Sequence, residues 1–113
     1  MSPIPLQLRS GRVLPARSDS ETPPIRLVIG DGDGEFRRAL RASFAADPRI
    51  EVVAEADDGE SALQLLRSLR PDVALLDEDM PAFGGAAIAR ILRSELPEVR
   101  VVVLTRPMGA TGG

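Results

Sequence analysis

The sequence predicts one doubly wound α/β domain, and three observations carry that prediction. Four short, largely apolar runs recur along the chain: IRLVI, IEVVA, VALLD and VRVVVL. Runs apolar on both faces suit strands buried between two helical layers. The segments between them repeat apolar residues at helical spacing, so strand and helix alternate as they do in a parallel sheet with crossover helices. With 113 residues, the chain has room for one small domain.

Residues 1–24 hold Pro3, Pro5, Pro15, Pro23 and Pro24 among serines and arginines, with no period of either kind. A disordered leader is expected there, which leaves residues 25–113 for the fold. Ile25 to Ile29 is the first strand, and it runs into the loop Gly30-Asp31-Gly32-Asp33-Gly34. From Glu35 onward, Phe36, Ala39, Leu40, Ser43 and Phe44 line one face of a helix, with Arg37, Arg38 and Arg41 on the other. Asp47-Pro48 stops it. Ile50 to Ala54 makes the second strand. A second helix opens at Asp57-Asp58-Gly59, with Asp58 as its N-cap and Ala62, Leu65, Leu66 and Leu69 as its buried stripe.

The third strand, Val73 to Asp77, stops at a carboxylate, followed by Glu78, Asp79, Met80-Pro81 and the pair Gly84-Gly85. Proline ends the strand and glycine lets the backbone turn away. The third helix turns Ile88, Ile91 and Leu92 inward and ends at Pro97. Val99 to Leu104 is the fourth strand, reaching Thr105, and residues 106–113 read as a disordered tail.

Composition removes several function classes. The chain contains no cysteine and no histidine, which excludes disulfides, thiolate metal sites and histidine-based general-base catalysis. All 14 basic residues are arginine, the net charge is −3, and no basic cluster forms on a predicted helix face. Direct nucleic-acid binding is therefore not expected of this chain. No run is long enough to span a membrane and no signal-peptide core precedes the domain, so a cytoplasmic location is expected.

Ligands of open parallel sheets bind at the carboxyl ends of the strands. Three such ends carry polar groups here: Asp31, Asp77 and Thr105, with Asp33, Glu78 and Asp79 close by in sequence. Asp77 alone could also be a turn acid that caps the third helix. Several carboxylates on one edge repel one another unless a divalent cation neutralises them, and oxygen-only donors suit Mg²⁺, Mn²⁺ or Ca²⁺. A carboxylate beside such an ion can attack a phosphoryl donor, and a neighbouring hydroxyl can hydrogen-bond the new phosphoryl oxygens. Two rivals are weaker. Gly30, Gly32 and Gly34 suggest a dinucleotide loop, with Glu55 at about the distance for a ribose contact, but Glu35 stands where its third glycine belongs. Asp31, Asp33 and Glu35 suggest a calcium loop, but Phe36 and Ala42 occupy its glycine and terminal glutamate positions.

From Ile25 to Thr105 the chain resembles the receiver domain of bacterial two-component response regulators, of the type found ahead of LuxR-type DNA-binding domains. The resemblance rests on IRLVIGD, Phe36-Arg37, EVVAEADDGESAL, RPDVALLDEDMP and VRVVVLT, in that order and spacing. It implies a flavodoxin-like strand order 2-1-3-4, with the fifth strand missing and the receiver (residues 25–105) truncated after the fourth. It further implies that Asp77 is the phosphoacceptor, that Asp31, Asp77 and the Asp79 backbone carbonyl hold Mg²⁺, and that Thr105 is the switch hydroxyl. The partner would be a sensor histidine kinase in a phosphorelay that regulates transcription through an output domain absent here. The chain itself would not be an enzyme.

Two departures matter. Gly32 stands where the family has a second acidic residue, which weakens the expected Mg²⁺ site, with Asp33 or the Asp79 side chain as partial substitutes. The family's lysine has no counterpart, because the sequence holds no lysine. The alternative is therefore a degenerate or truncated receiver acting as a phosphorylation-independent interaction module. With the fifth strand missing, self-association through the fourth strand is also expected.

Overall fold

The computed structural model describes residues 7–8, 11–15 and 22–105. In chain order its elements are β1 (Gln7–Leu8), β2 (Gly11–Val13), β3 (Ile25–Gly30), α1 (Gly34–Ala45), β4 (Ile50–Ala56), α2 (Gly59–Leu69), β5 (Val73–Asp77), α3 (Gly85–Glu95) and β6 (Arg100–Leu104). The four parallel strands run β4-β3-β5-β6, which is the 2-1-3-4 order expected.

The sheet nevertheless has six strands, because β1 and β2 form an antiparallel hairpin that pairs with the outer edge of β4. Regular structure before Ile25 corrects the expectation of a wholly disordered leader. The prolines hid it: Pro15 falls outside the two strands, and three residues of β2 are too few to display a period. What holds the strand is the free edge of β4, whose unpaired N–H and C=O groups find partners in Gly11 to Leu14. Thr22, Pro23 and Pro24 carry no regular structure. The remainder of residues 1–21 and the tail from 106 to 113 lie outside the described residues.

Side chains alternate across the strands, so each face of the sheet has its own cover. Val28, Ala54, Ala56, Ala74 and Leu76 point to one face and bury against Ala62, Leu65 and Leu66 of α2 and Ile88 and Leu92 of α3. That layer is the main core, and each fully buried leucine contributes about 2 kcal/mol to it. The α2 stripe is the one expected, and the Asp58 carboxylate caps it by accepting the Ser61 N–H at 2.7 Å.

The opposite face carries α1, and this helix differs from its sequence reading. Phe36, Ala39 and Ser43 are exposed, whereas Arg37, Leu40, Arg41 and Phe44 turn toward the sheet. The reason is Glu55, buried in β4 at 6% exposure. A buried carboxylate needs counter-charges. The helix is rolled so that Arg37 and Arg41, one turn apart, reach it. Strand β4 also carries an extra residue near Val53, where the pairing with β3 shifts between Leu27 and Val28. The turn that launches β4 is braced by Arg49, whose guanidinium lies 2.8 Å from Asp47 and holds that carboxyl at a pKa of about 2.

Candidate functional site

The site follows from strand register. Gly30 pairs with Leu76 across β3 and β5, so the next residues, Asp31 and Asp77, leave the sheet side by side. Asp77 in turn pairs with Leu104 of β6, which puts Thr105 one residue beyond it on the same edge. Asp31 is 2% exposed and Asp77 4%, while Thr105 is exposed. The three strand ends singled out from sequence therefore meet at one sheet edge.

Each acid is fixed by its neighbours. The Asp31 N–H donates to the Ala56 carbonyl at 3.0 Å, and the Asp31 carbonyl accepts from Arg37 Nη1 at 2.6 Å. Its Oδ1 accepts the Asp33 N–H at 2.8 Å. Likewise Asp77 Oδ1 accepts the Asp79 N–H at 3.1 Å, and the Glu78 N–H donates to the Leu104 carbonyl at 2.9 Å, tying β5 to β6 beside the site.

The surrounding acids have other work. Asp33 is the N-cap of α1, its Oδ1 accepting the N–H groups of Glu35 and Phe36 at 3.0 and 3.2 Å. One oxygen of the Asp33 carboxylate is thereby engaged at the helix start. Glu78 accepts the Ala86 N–H at 2.8 Å and so serves the start of α3, where the N-cap Gly84 has no side chain to offer. Asp79 is exposed. The β5–α3 turn is tight: Ala82 has φ 76°, and a Cβ on Gly84 would lie 1.9 Å from the Glu78 carbonyl oxygen. Only glycine fits there.

Two buried carboxylates at adjacent strand ends are costly when ionised unless a cation balances them. Among the described residues, no arginine forms an ion pair with Asp77. Nor do three or more acidic side chains there converge as a metal-binding group. A hard cation would thus rest on two carboxylates and a backbone oxygen, a donor set that Mg²⁺ accepts because it keeps waters in its other positions. At Gly32 the space is open: an added Cβ would meet only Pro81 Cδ at 3.5 Å and the Asp57 carbonyl at 3.7 Å.

A second charged group was not visible from sequence. Glu55 Oε1 accepts from Arg37 Nε at 3.0 Å, Glu55 Oε2 accepts from Arg41 Nη1 at 2.6 Å, and Arg12 Nε of β2 stands 3.8 Å away. Its one sequence signal is a pair of arginines four apart on a helix, opposite a glutamate within a strand.

The match to the response regulator receiver domain covers residues 27–110. The chain belongs to that family. Among curated relatives, it is 40% identical over 89 residues to the probable transcriptional regulatory protein NarL of Mycobacterium tuberculosis, a match covering 78% of this chain and 41% of NarL. It is 42% identical over 90 residues to a protein-glutamate methylesterase/protein-glutamine glutaminase of Anaeromyxobacter dehalogenans, covering 79% of this chain and 26% of that protein. The solved signal receiver domain of NarL from M. tuberculosis superposes with a TM-score of 0.73 at 37% identity, over 79% of this chain and 73% of that one. This receiver chain spans well under half the length of the curated relatives it matches. One receiver pattern thus recurs in a transcriptional regulator and in an esterase. None of the described helices is long and apolar enough to cross a membrane.

Proposed function

We propose that the chain is a phospho-accepting receiver module of a two-component response regulator, with Asp77 as phosphoacceptor. The observation that supports this reading is the burial of Asp31 and Asp77 at neighbouring strand ends, with Thr105 on the next strand. Asp31, Asp77 and the Asp79 carbonyl would hold Mg²⁺, which offsets the charge building up between carboxylate and phosphoryl group. An Asp77 carboxylate oxygen forms the new bond to phosphorus as the P–N bond of a kinase phosphohistidine breaks, its electron pair staying with the imidazole nitrogen. The Asp79 N–H donates to Asp77 Oδ1 and so orients that carboxylate. The Thr105 hydroxyl then donates to a phosphoryl oxygen. A sensor histidine kinase is the partner, transcription is the regulated process, and the chain is cytoplasmic and itself no enzyme.

The test is incubation with acetyl phosphate and Mg²⁺, followed by intact mass. The chain should gain one phosphoryl group, and Asp77→Asn should gain none; phosphate on the Asn variant would overturn the assignment. Gly32→Asp adds a carboxylate where there is room, and should tighten Mg²⁺ binding about tenfold in an NMR titration.

The second reading is a phosphorylation-independent interaction module. Gly32 at the family's second acidic position favours it. Its signature is a wild-type chain that gains no phosphate, together with a Gly32→Asp variant that does.

A further inference from the structure

We propose that the N-terminal hairpin is a brace for the acidic site, fixing the backbone of Asp31 through Glu55 and Ala56. The hairpin precedes the family match, which begins at residue 27, so nothing in the receiver pattern accounts for it. Strand β2 pairs with the last residues of β4: Gly11 with Ala56, Arg12 with Glu55 and Val13 with Ala54. These are the residues from which Asp31 hangs. Its N–H is bonded to the Ala56 carbonyl, and its C=O to Arg37, whose Nε is held by the Glu55 carboxylate.

Both links run through the ladder. The Leu14 N–H donates to the Val53 carbonyl at 2.8 Å, which makes that facing pair a hydrogen-bonded one. In an antiparallel ladder such pairs alternate, so Arg12 and Glu55, two residues along, also exchange backbone bonds. Ala56 lies in the non-bonded pair, and its carbonyl faces β3 and Asp31. The Arg12 guanidinium adds a third cation beside Glu55, a contact worth little because its side chain is 61% exposed. Gly11 lets the hairpin lie close to α2, since a Cβ there would come within 2.8 Å of Leu65 Cδ1. Without β2, the end of β4 would be a free edge, and such edges open locally at low cost.

Only the metal-binding role of Asp31 rests on the function proposed above; the brace itself does not. Arg12→Pro in the full chain removes the backbone donor and the guanidinium together, and Arg12→Lys keeps both a donor and a cation. Amide hydrogen exchange should be about tenfold faster at Asp31 in Arg12→Pro, with Leu76 and Asp77 unchanged and Arg12→Lys near wild type. Unchanged exchange at Asp31 would overturn the brace. Equal acceleration at every amide would overturn it too, since the hairpin would then support the fold and not the site. Should Arg12→Pro fail to fold, Leu14→Pro, which removes the bond to Val53, carries the same expectations. A Mg²⁺ titration of the wild type separates the two claims: faster exchange in Arg12→Pro with no Mg²⁺ binding in the wild type keeps the brace and removes the metal role.

Discussion

The two ends of the parallel sheet are finished in opposite ways. At the β4 end the backbone edge is paired with β2, and the charge inside it is matched by Arg37 and Arg41. At the β6 end, no strand among the described residues pairs with the outer edge. The row Ile29, Leu75, Val102 lies on the α1 face, and its exposure climbs from 1% at Ile29 to 46% at Val102. Helix α1 packs over β4 and leaves this side open. Both end strands are largely β-branched and apolar, and their charges set the contrast: Glu55, buried in β4, drew two arginines and a helix to one end, whereas β6 carries only Arg100. The proposed site straddles the difference, with Asp31 anchored from the closed end and Asp77 and Thr105 from the open one.

The sharpest way to break the contrast is to remove the charge at the closed end. Glu55→Ala leaves Arg37 and Arg41 half-buried without a carboxylate, and should destabilise the fold by about 3 kcal/mol in urea denaturation. The Arg37 bond to the Asp31 carbonyl should loosen with it, seen as a shifted Asp31 amide resonance. A loss below about 1 kcal/mol would mean that packing of Leu40 and Phe44, and not the ion cluster, holds α1 to the sheet.

These charges also mark where sequence reading stopped. The alternation of strands and helices and the α2 stripe were legible because each rests on local period or on short connections, whereas the strand order came with the family resemblance. The meeting of Asp31, Asp77 and Thr105 was legible too, since parallel strands deliver their ends to one edge. The roll of α1 was not. Phe36, Ala39 and Ser43 sit at helical spacing with Leu40 and Phe44, and only a glutamate distant in sequence decides which face turns inward. The hairpin was hidden for a related reason, since its strands are defined by the edge they meet and not by their own pattern. Nor was the capping of α1 by Asp33 read from the sequence, although its Oδ1 accepts two N–H groups of the first turn.

The smallest expected effect is at the open end, and it compares the two edges directly. An edge strand with Val102 exposed and one charge invites pairing with a second copy of the chain. Changing Val102 to Lys places a charge in the middle of β6 on the α1 face. It should weaken self-association about tenfold in sedimentation, roughly 1.4 kcal/mol, with little change in melting. The matching manipulation at the other end runs the opposite way. Arg12→Pro frees the β4 edge, and should raise association above wild type, because a second unpaired strand becomes available. If the wild-type chain stays monomeric at high concentration while Arg12→Pro associates, then β6 is covered in solution and the hairpin alone has been keeping a sticky edge closed. If neither associates, exposed strand edges do not govern the assembly of this receiver, and the open α1 face must be tolerated as apolar surface of ordinary extent.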